Sequence, residues 1–249
     1  MSTAPTNPLS HHPKALAVLS RLHALSIEQE KARGARGKHF PKLSNFGPFS
    51  DDADLANPSD FVEELVALDE DKAQAMYMIL RAMGAMRVVE AGTSYGVSLI
   101  YLLCAVIDNA KNAKVDRLPP LVIGTELEPA KVSKALSHVQ EAFDGRTPEI
   151  LNLLQGDLLE TIPALALPDS SVDALLLDIW APLALPVLKM MLPKLRKGAV
   201  VFLDNSISSV ERYKDVLEFL RSGDDETRMF KSISLPFDGG FEMCVYEGN

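Results

Sequence analysis

Five apolar segments, four of which end at an acidic residue while the third is followed within a few residues by Gly156-Asp157, are the feature that most constrains the fold of this chain. They cover residues 86–90, 120–126, 149–154, 172–178 and 198–204, and segments with helical periodicity lie between them, near 97–110, 129–143, 182–195 and 208–221. Because the apolar segments do not alternate with polar residues, we expect strands that are covered on both faces. The alternation of strands and helices predicts a Rossmann-like, doubly wound α/β fold with a mainly parallel sheet and helices on both faces.

The two ends of the chain complete this expected arrangement. Near the C-terminus, two strand-like pieces flank Asp238-Gly239-Gly240, which is a hairpin signal, so we expect the sheet to end in an antiparallel hairpin. At the other end, the pattern predicts a disordered tail over 1–12 and a helix with a lid segment over 13–57. Residues 58–249 are then expected to form one large domain.

The composition excludes several functional classes. The chain of 249 residues has a net charge of −9 and no basic stripe, so we expect neither a nucleic-acid partner nor a membrane surface. No apolar segment reaches the roughly 18 residues of a membrane span, and the N-terminus lacks the apolar core of a signal peptide. A cytoplasmic protein is therefore expected, with Cys104 and Cys244 as buried thiols; one disulfide between them is the alternative.

The acids at the strand ends are candidates for ligand binding. In open α/β sheets, ligands bind beyond the carboxyl ends of the strands. We therefore expect one acidic rim formed by Glu90, Glu126, Asp157, Asp178 and Asp204, although solvated strand ends also often carry charge without a function. An acid about one βαβ unit after a glycine turn can accept both hydroxyls of a ribose, which predicts that Glu126 contacts a nucleoside.

The turn VVEAGTSYGVS (88–98) differs from dinucleotide-binding turns, because it lacks the G-x-G-x-x-G spacing and has Glu90 before its first glycine. A carboxylate there disfavours a pyrophosphate and favours a cationic ligand, and S-adenosylmethionine has a ribose, an ammonium and a sulfonium but no phosphate. Gly92 would let the backbone approach this ligand, and the helix that begins at Val97, with Ser98, would hold its carboxylate. Glycines that serve only to form the turn are the alternative.

These segments resemble those of the class I S-adenosylmethionine-dependent methyltransferases. More narrowly, they resemble the cation-dependent O-methyltransferases that include catechol and caffeoyl-CoA O-methyltransferase. The resemblance covers about residues 60–249 and is carried by VVEAGTSYGVS, GTELEP (124–129), QGDLLETIP (155–163), LLLDIW (175–180) and GAVVFLDN (198–205). It implies that the domain at 58–249 binds S-adenosylmethionine and transfers its methyl group to a hydroxyl of a small-molecule acceptor, which we expect to be phenolic.

The resemblance also implies roles for particular residues. The predicted cofactor-binding residues are Glu90, Gly92, Ser94 and Ser98 at the methionine end, Glu126 at the ribose, and Gly156, Asp157 and Trp180 around the adenine, together with Asp178. A divalent cation, Mg²⁺ or Mn²⁺, would be held by Asp178, Asp204 and Asn205 and would bind the acceptor oxygens. Asp178 and Asp204 are thus the predicted catalytic residues.

Two positions depart from the catechol pattern. Ile179 stands where a histidine often follows the first metal aspartate, and Ala181 stands where a lysine would serve as general base. A general base typically contributes about 10²–10⁴-fold to the rate. Either the metal alone ionises the hydroxyl, or another residue serves, or the acceptor is not a catechol. A metal-independent N-, S- or carboxyl methyltransferase and a non-catalytic S-adenosylmethionine-binding protein are the alternative functions.

Two further segments are candidates for the acceptor site. Lys72 and Gln74, in DEDKAQAMY, match a family segment that borders the acceptor pocket, although the polarity of a helix surface explains them equally well. Asp238 and Phe241, in the predicted hairpin, occupy a place where relatives close that pocket. The N-terminal helix could also pair with a second copy of the chain, so a homodimer is a further expectation.

Overall fold

The computed structural model describes residues 6–35, 65–113, 117–224 and 227–248. Its helices are α1 (Pro13–Ala35), α2 (Glu70–Ala82), α3 (Val97–Ala110), α4 (Pro129–Ala142), α5 (Leu158–Thr161), α6 (Ala181–Met191) and α7 (Lys214–Arg221). Its strands are β1 (Arg87–Ala91), β2 (Leu121–Glu126), β3 (Leu151–Gln155), β4 (Val172–Leu177), β5 (Leu195–Asp204), β6 (Phe230–Leu235) and β7 (Phe241–Tyr246). The predicted lid after α1 and the predicted domain boundary at residue 58 lie outside the described residues.

These strands form one sheet with the order β3-β2-β1-β4-β5-β7-β6. Strands β1 to β5 are parallel, and β7 runs antiparallel to both β5 and β6. The chain order reverses between β1 and β4, and this switch point is where open α/β sheets bind ligands. The predicted doubly wound, mainly parallel sheet with a terminal antiparallel hairpin is confirmed.

Both faces of the sheet are covered, which explains why its central strands are mostly apolar and do not alternate with polar residues. Leu176 of β4 belongs to the core on the α3 side, whereas its neighbour Leu175 belongs to the core on the α6 and α7 side. Helix α3 is buried nearly all round, because the sheet lies on one side of it and α1 and α2 pack against it. Cys104 and Cys244 are free, buried thiols. No helix in the described part of the chain has the length and apolar character needed to cross a membrane.

Residues 6–12 are ordered, which differs from the disorder predicted for them. Leu9 is 0% exposed and belongs to the core on the α3 side. The Nε2 atoms of His11 and His12 lie 2.8 and 2.9 Å from the same oxygen of Asp108, near the end of α3. The segment is thus fixed by one apolar side chain and by a carboxylate far along the chain, and neither contact is visible in its polar composition.

Asp108 connects this N-terminal segment to two helices. Its carboxylate accepts hydrogen bonds from the Tyr77 hydroxyl at 2.9 Å and from the Lys111 ammonium at 2.8 Å, besides its contacts with His11 and His12. Burial acts to raise the pKa of Asp108, but the hydrogen bonds outweigh burial and lower the pKa well below its usual value. The ionised form therefore stabilises the folded chain.

We expect Asp108→Asn to lower the free energy of unfolding by about 3 kcal/mol at pH 7, because it removes one partner of a buried ion-paired network. Since the folded pKa lies below the unfolded value of about 3.9, this contribution is complete above that pH and is lost as the pH falls below it. Urea denaturation at pH 7 and pH 3 measures the difference. Asp169→Asn, which removes an exposed partner of Lys194, serves as the control and should change little. Equal losses in the two variants would contradict the role of Asp108.

Candidate functional site

The turn between β1 and α3 packs directly against the end of β4. Gly92, Ser94 and Gly96 have positive φ angles of 89°, 48° and 84°. A Cβ atom on Gly92 would lie 2.1 Å from the carbonyl oxygen of Asp178, and one on Gly96 would lie 3.2 Å from Ala135 of α4. At Gly92 the space that a side chain would fill is therefore taken by the chain itself, whereas at Gly96 the contact is tight but not blocked. The packing and the positive φ angles account for glycine at both positions, and the contact of Gly92 with a cofactor stays a prediction.

Glu90, the predicted anchor of the methionine end, is buried inside this turn and is 0% exposed. The Thr93 hydroxyl donates a hydrogen bond to Oε2 of Glu90 at 2.6 Å, whereas Oε1 has no hydrogen-bond partner among the described residues. Burial raises the pKa of Glu90 to about 7, although the nearby hydroxyls of Ser98 and Thr93 act to lower it. A buried oxygen without a partner is costly, and a ligand with a donor or a positive charge would satisfy it.

Glu126, the predicted ribose ligand, is fixed next to the same turn. The backbone N–H of Ser94 donates to Oε2 of Glu126 at 2.8 Å, and the N–H of Glu128 donates to Oε1 at 3.0 Å. Each carboxylate oxygen has a second lone pair, so Glu126 can still accept hydrogen bonds from two hydroxyls. The Ser94 hydroxyl is buried and also lacks a partner among the described residues.

The residues predicted around the adenine follow β3 and β4. Gly156 and Asp157 come directly after β3, and Asp157 caps α5 by accepting a hydrogen bond from the N–H of Leu159 at 2.8 Å. Trp180 precedes α6 and is 46% exposed, so it is not a core residue. Large exposed apolar side chains occur after each of β2 to β5 at this edge: Leu127, Leu159, Trp180 and Ile207. Such side chains suit the faces of a flat ring.

Asp178 and Asp204 lie side by side at the same edge of the sheet. Leu177 of β4 pairs with Leu203 of β5, so the residue after each of them occupies an equivalent position. Burial raises the pKa of Asp178 well above its usual value, and the nearby carboxylates of Asp204 and Glu90 raise it further. Burial also raises the pKa of Asp204, against the opposing effect of Lys72.

Lys72 is a buried part of this site, and the interpretation of it as helix-surface polarity is wrong. It is 1% exposed, and its Nζ lies 2.8 Å from Oδ1 of Asp204 and 2.8 Å from Oδ2 of Asp69. The spacing from Lys72 to Met76 and Leu80, which are both buried, already places it on the apolar face of α2. Gln74, by contrast, bonds to Glu70 on the exposed side of the helix.

The residues predicted to bind a divalent cation do not fit one in this arrangement. Oδ1 of Asp204 contacts the Lys72 ammonium, and Oδ2 accepts a hydrogen bond from the Asn205 amide at 2.8 Å. The amide oxygen of Asn205 accepts from the Ser208 hydroxyl at 3.2 Å. A hard cation needs several free oxygen ligands, and the adjacent ammonium would repel it.

The terminal hairpin fixes the loop that carries Asn205. The carbonyl of Gly239 accepts hydrogen bonds at 2.9 Å from the N–H groups of both Ile207 and Ser208. Phe241 is fully buried, and its ring stacks on that of Phe202 with centroids 5.4 Å apart. The prediction that Phe241 contacts the acceptor is therefore wrong, because its side chain belongs to the core. Asp238 is exposed at the tip of the hairpin, and its contact with the acceptor stays a prediction.

Comparisons with known proteins agree with this geometry. Residues 89–206 match the family model described as a methyltransferase domain. No curated protein sequence gives a significant match. Among solved structures, cofactor-bound Rv0187 from MTB is 20% identical, with a TM-score of 0.63 and coverage of 77% of this chain and 87% of that chain.

Two further solved structures are O-methyltransferases. TomG from Streptomyces achromogenes, involved in tomaymycin synthesis and in complex with SAM, is 21% identical, with a TM-score of 0.59 and coverage of 73% of this chain and 82% of that chain. An O-methyltransferase from Bacillus cereus in complex with SAH is 14% identical, with a TM-score of 0.60 and coverage of 92% and 90%, respectively. At these identities the likeness concerns the fold.

The packing of the turn predicts the effect of a single methyl group. We expect Gly92→Ala to destabilise the chain by roughly 2–5 kcal/mol, because a positive φ angle and a clash with Asp178 both disfavour it. Gly145→Ala is the matched control, since Gly145 has a φ of 76° and no atom within 4 Å of the added Cβ. It should cost only about 1–2 kcal/mol. Urea denaturation measures both, and equal losses would contradict the close approach at Gly92.

Proposed function

We propose that this chain, which carries a class I S-adenosylmethionine-dependent methyltransferase domain with the fold of the O-methyltransferases, methylates a hydroxyl of a small molecule. The observation that carries the proposal is the buried carboxylate of Glu90 beside the turn after β1, one oxygen of which has no hydrogen-bond partner in the described part of the chain. A cationic, phosphate-free nucleoside matches that carboxylate better than a dinucleotide does, because a pyrophosphate would be repelled.

Different residues of the chain are proposed to bind different parts of the cofactor. Glu90 faces the positively charged methionine end, and Glu126 accepts the ribose hydroxyls while the N–H groups of Ser94 and Glu128 hold it in place. Trp180 and Leu127 offer apolar surface to the adenine. When bound, S-adenosylmethionine would supply a methyl group on a sulfonium: the carbon–sulfur bond would break and leave a neutral thioether, an oxygen–carbon bond would form, and the proton of the acceptor hydroxyl would pass to water.

In this proposal, the acceptor binds next to Asp178 and Asp204. These carboxylates lie at the ends of β4 and β5, beside the turn that is proposed to bind the methionine end. A sulfonium is already a good leaving group, so alignment of the acceptor oxygen with the methyl group contributes most to the rate. The O-methyltransferases among the structural neighbours support a hydroxyl acceptor, and a phenolic one is the specific form we propose.

A divalent cation, Mg²⁺ or Mn²⁺, at Asp178, Asp204 and Asn205 is the second candidate form of this reaction. The observation in its favour is that three oxygen-bearing side chains come together at adjacent strand ends. The contact between Lys72 and Asp204 argues against it. A methyltransferase for nitrogen, sulfur or carboxylate acceptors would need neither the cation nor a hydroxyl.

The proposal is tested by binding and turnover. Isothermal titration with S-adenosylmethionine should give one site per chain, and labelled methyl groups should pass to phenols in a panel that also contains alcohols, amines, thiols and carboxylates. Assays with and without EDTA distinguish the two forms. Binding without turnover on any acceptor would support a non-catalytic protein, and binding of NAD instead of S-adenosylmethionine would exclude the proposed function.

Removing the carboxylate of Glu126 should weaken cofactor binding. We expect Glu126→Ala to raise the dissociation constant about ten- to a hundredfold, since hydrogen bonds to charged groups contribute about 1.5–3 kcal/mol. Glu149→Ala is the control, because Glu149 is exposed just before β3, at the opposite edge of the sheet. An unchanged dissociation constant in Glu126→Ala would exclude the ribose role.

Cofactor affinity should also depend on the protonation of Glu90. Burial raises the pKa of Glu90 to about 7, and a cationic ligand favours the ionised form, so binding below that pH must first remove a proton. We expect up to about tenfold tighter binding at pH 8 than at pH 6 through this group. Glu90→Gln lacks this contribution. Because the ligand's own amino group titrates equally in both measurements, the difference between the pH profiles of the wild type and Glu90→Gln reports on Glu90 alone. Identical pH profiles for the two proteins would contradict the assignment.

A further inference from the structure

We propose that the Lys72 ammonium takes the place of a divalent cation as the counter-charge of Asp178 and Asp204, so that this site works without a metal ion. The inference rests on the proposed function only in placing the acceptor at these two carboxylates. It concerns the charge of the site itself, and it can be tested without an acceptor or turnover.

The ammonium is held from both sides. Lys72 lies in the first turn of α2, and its Nζ contacts Asp204 at the end of β5 and Asp69 directly before the helix, each at 2.8 Å. The Lys72 side chain is 1% exposed, whereas that of Asp69 is 59% exposed. The ammonium is therefore buried, with Asp204 on the side of the sheet and Asp69 on the side of the solvent. A buried ammonium persists only when such partners satisfy it.

A cation at Asp204 would have to displace this ammonium or lie beside it. Both oxygens of Asp204 are engaged, one by Lys72 and the other by the Asn205 amide. Removing Lys72 while keeping Asp178 and Asp204 would free an oxygen and leave two neighbouring carboxylates without a counter-charge. Paired carboxylates with free oxygens are what hard divalent cations bind. Loss of the lysine should therefore create a metal site.

The test is a titration with Mn²⁺ alone, followed by electron paramagnetic resonance of the free ion. The wild-type chain should show no saturable binding that depends on Asp204; the cluster of His11, His12 and Asp108 could itself hold a cation, but it is the same in every variant and so cancels in the comparison. Lys72→Met keeps the unbranched apolar stem and removes the charge, and it should gain a saturable Mn²⁺ site that is at least about tenfold tighter than any residual binding at Asp204 in the wild type. Lys72→Met combined with Asp204→Asn should lose that binding, and Lys72→Arg, which keeps the charge, should not gain it. Lys194→Met, which breaks an exposed ion pair with Asp169, is the matched control and should resemble the wild type.

Thermal unfolding gives a second readout that a merely structural lysine would not affect. Mn²⁺ should raise the midpoint temperature of Lys72→Met by more than it raises that of the wild type, because a ligand stabilises only the folded state that binds it. If Lys72→Met does not fold, the wild type and Asp204→Asn provide the test: identical Mn²⁺ titrations of these two proteins support the proposal.

Two results would overturn the proposal. One is saturable Mn²⁺ binding by the wild type that Asp204→Asn abolishes, and the other is equal binding by the wild type and by folded Lys72→Met. Both differ from a failure of the proposed function, which would be seen as absence of S-adenosylmethionine binding or of methyl transfer whatever the Mn²⁺ titration gives.

Discussion

The close approach of β1 and β4 determines the geometry of the whole site. The turn after β1 lies so near the end of β4 that the carbonyl of Asp178 occupies the place of a side chain on Gly92. This contact brings the buried Glu90 and the two aspartates of β4 and β5 to one edge of the sheet. Because these strands are parallel, their carboxyl ends and the loops that follow them must also meet there. One steric constraint thus gathers residues that are far apart in the chain.

Collecting several carboxylates at one edge would destabilise the fold unless each acid had its own partners. Backbone N–H groups hold Glu126, hydroxyls contact Glu90, and the Lys72 ammonium contacts Asp204. The partners differ in charge, so the acids differ in what they can still bind. Glu126 keeps lone pairs for hydroxyls, Glu90 has an oxygen that no described residue contacts with a hydrogen bond, and Asp204 is already neutralised by Lys72. The proposed division of roles follows from these partners.

The sequence predicts the sheet well, because its strands are apolar runs bounded by acids. The strand predicted at 86–90 is observed at Arg87–Ala91, for example. Prediction from the sequence is wrong where contacts between distant parts of the chain determine the structure. Helix α7 begins at Lys214 instead of near 208, because the hairpin carbonyl of Gly239 holds the preceding turns. The spacing of Lys72, Met76 and Leu80 contains the signal that Lys72 is buried, but the acid it meets is on β5 and cannot be read from α2.

An ammonium in place of a metal changes which acceptors suit the site. A divalent cation binds two adjacent oxygens of one molecule and so favours vicinal diols such as catechols. An ammonium donates separate hydrogen bonds without a fixed coordination geometry. With Lys72 as the cation, the acceptor needs only one hydroxyl near Asp178 and Asp204. The absence of the catechol-type histidine and lysine, replaced by Ile179 and Ala181, agrees with this, since both belong to a pattern built around a chelated acceptor. A single hydroxyl, and not a pair of adjacent ones, is thus the acceptor that the proposed metal-free site would favour.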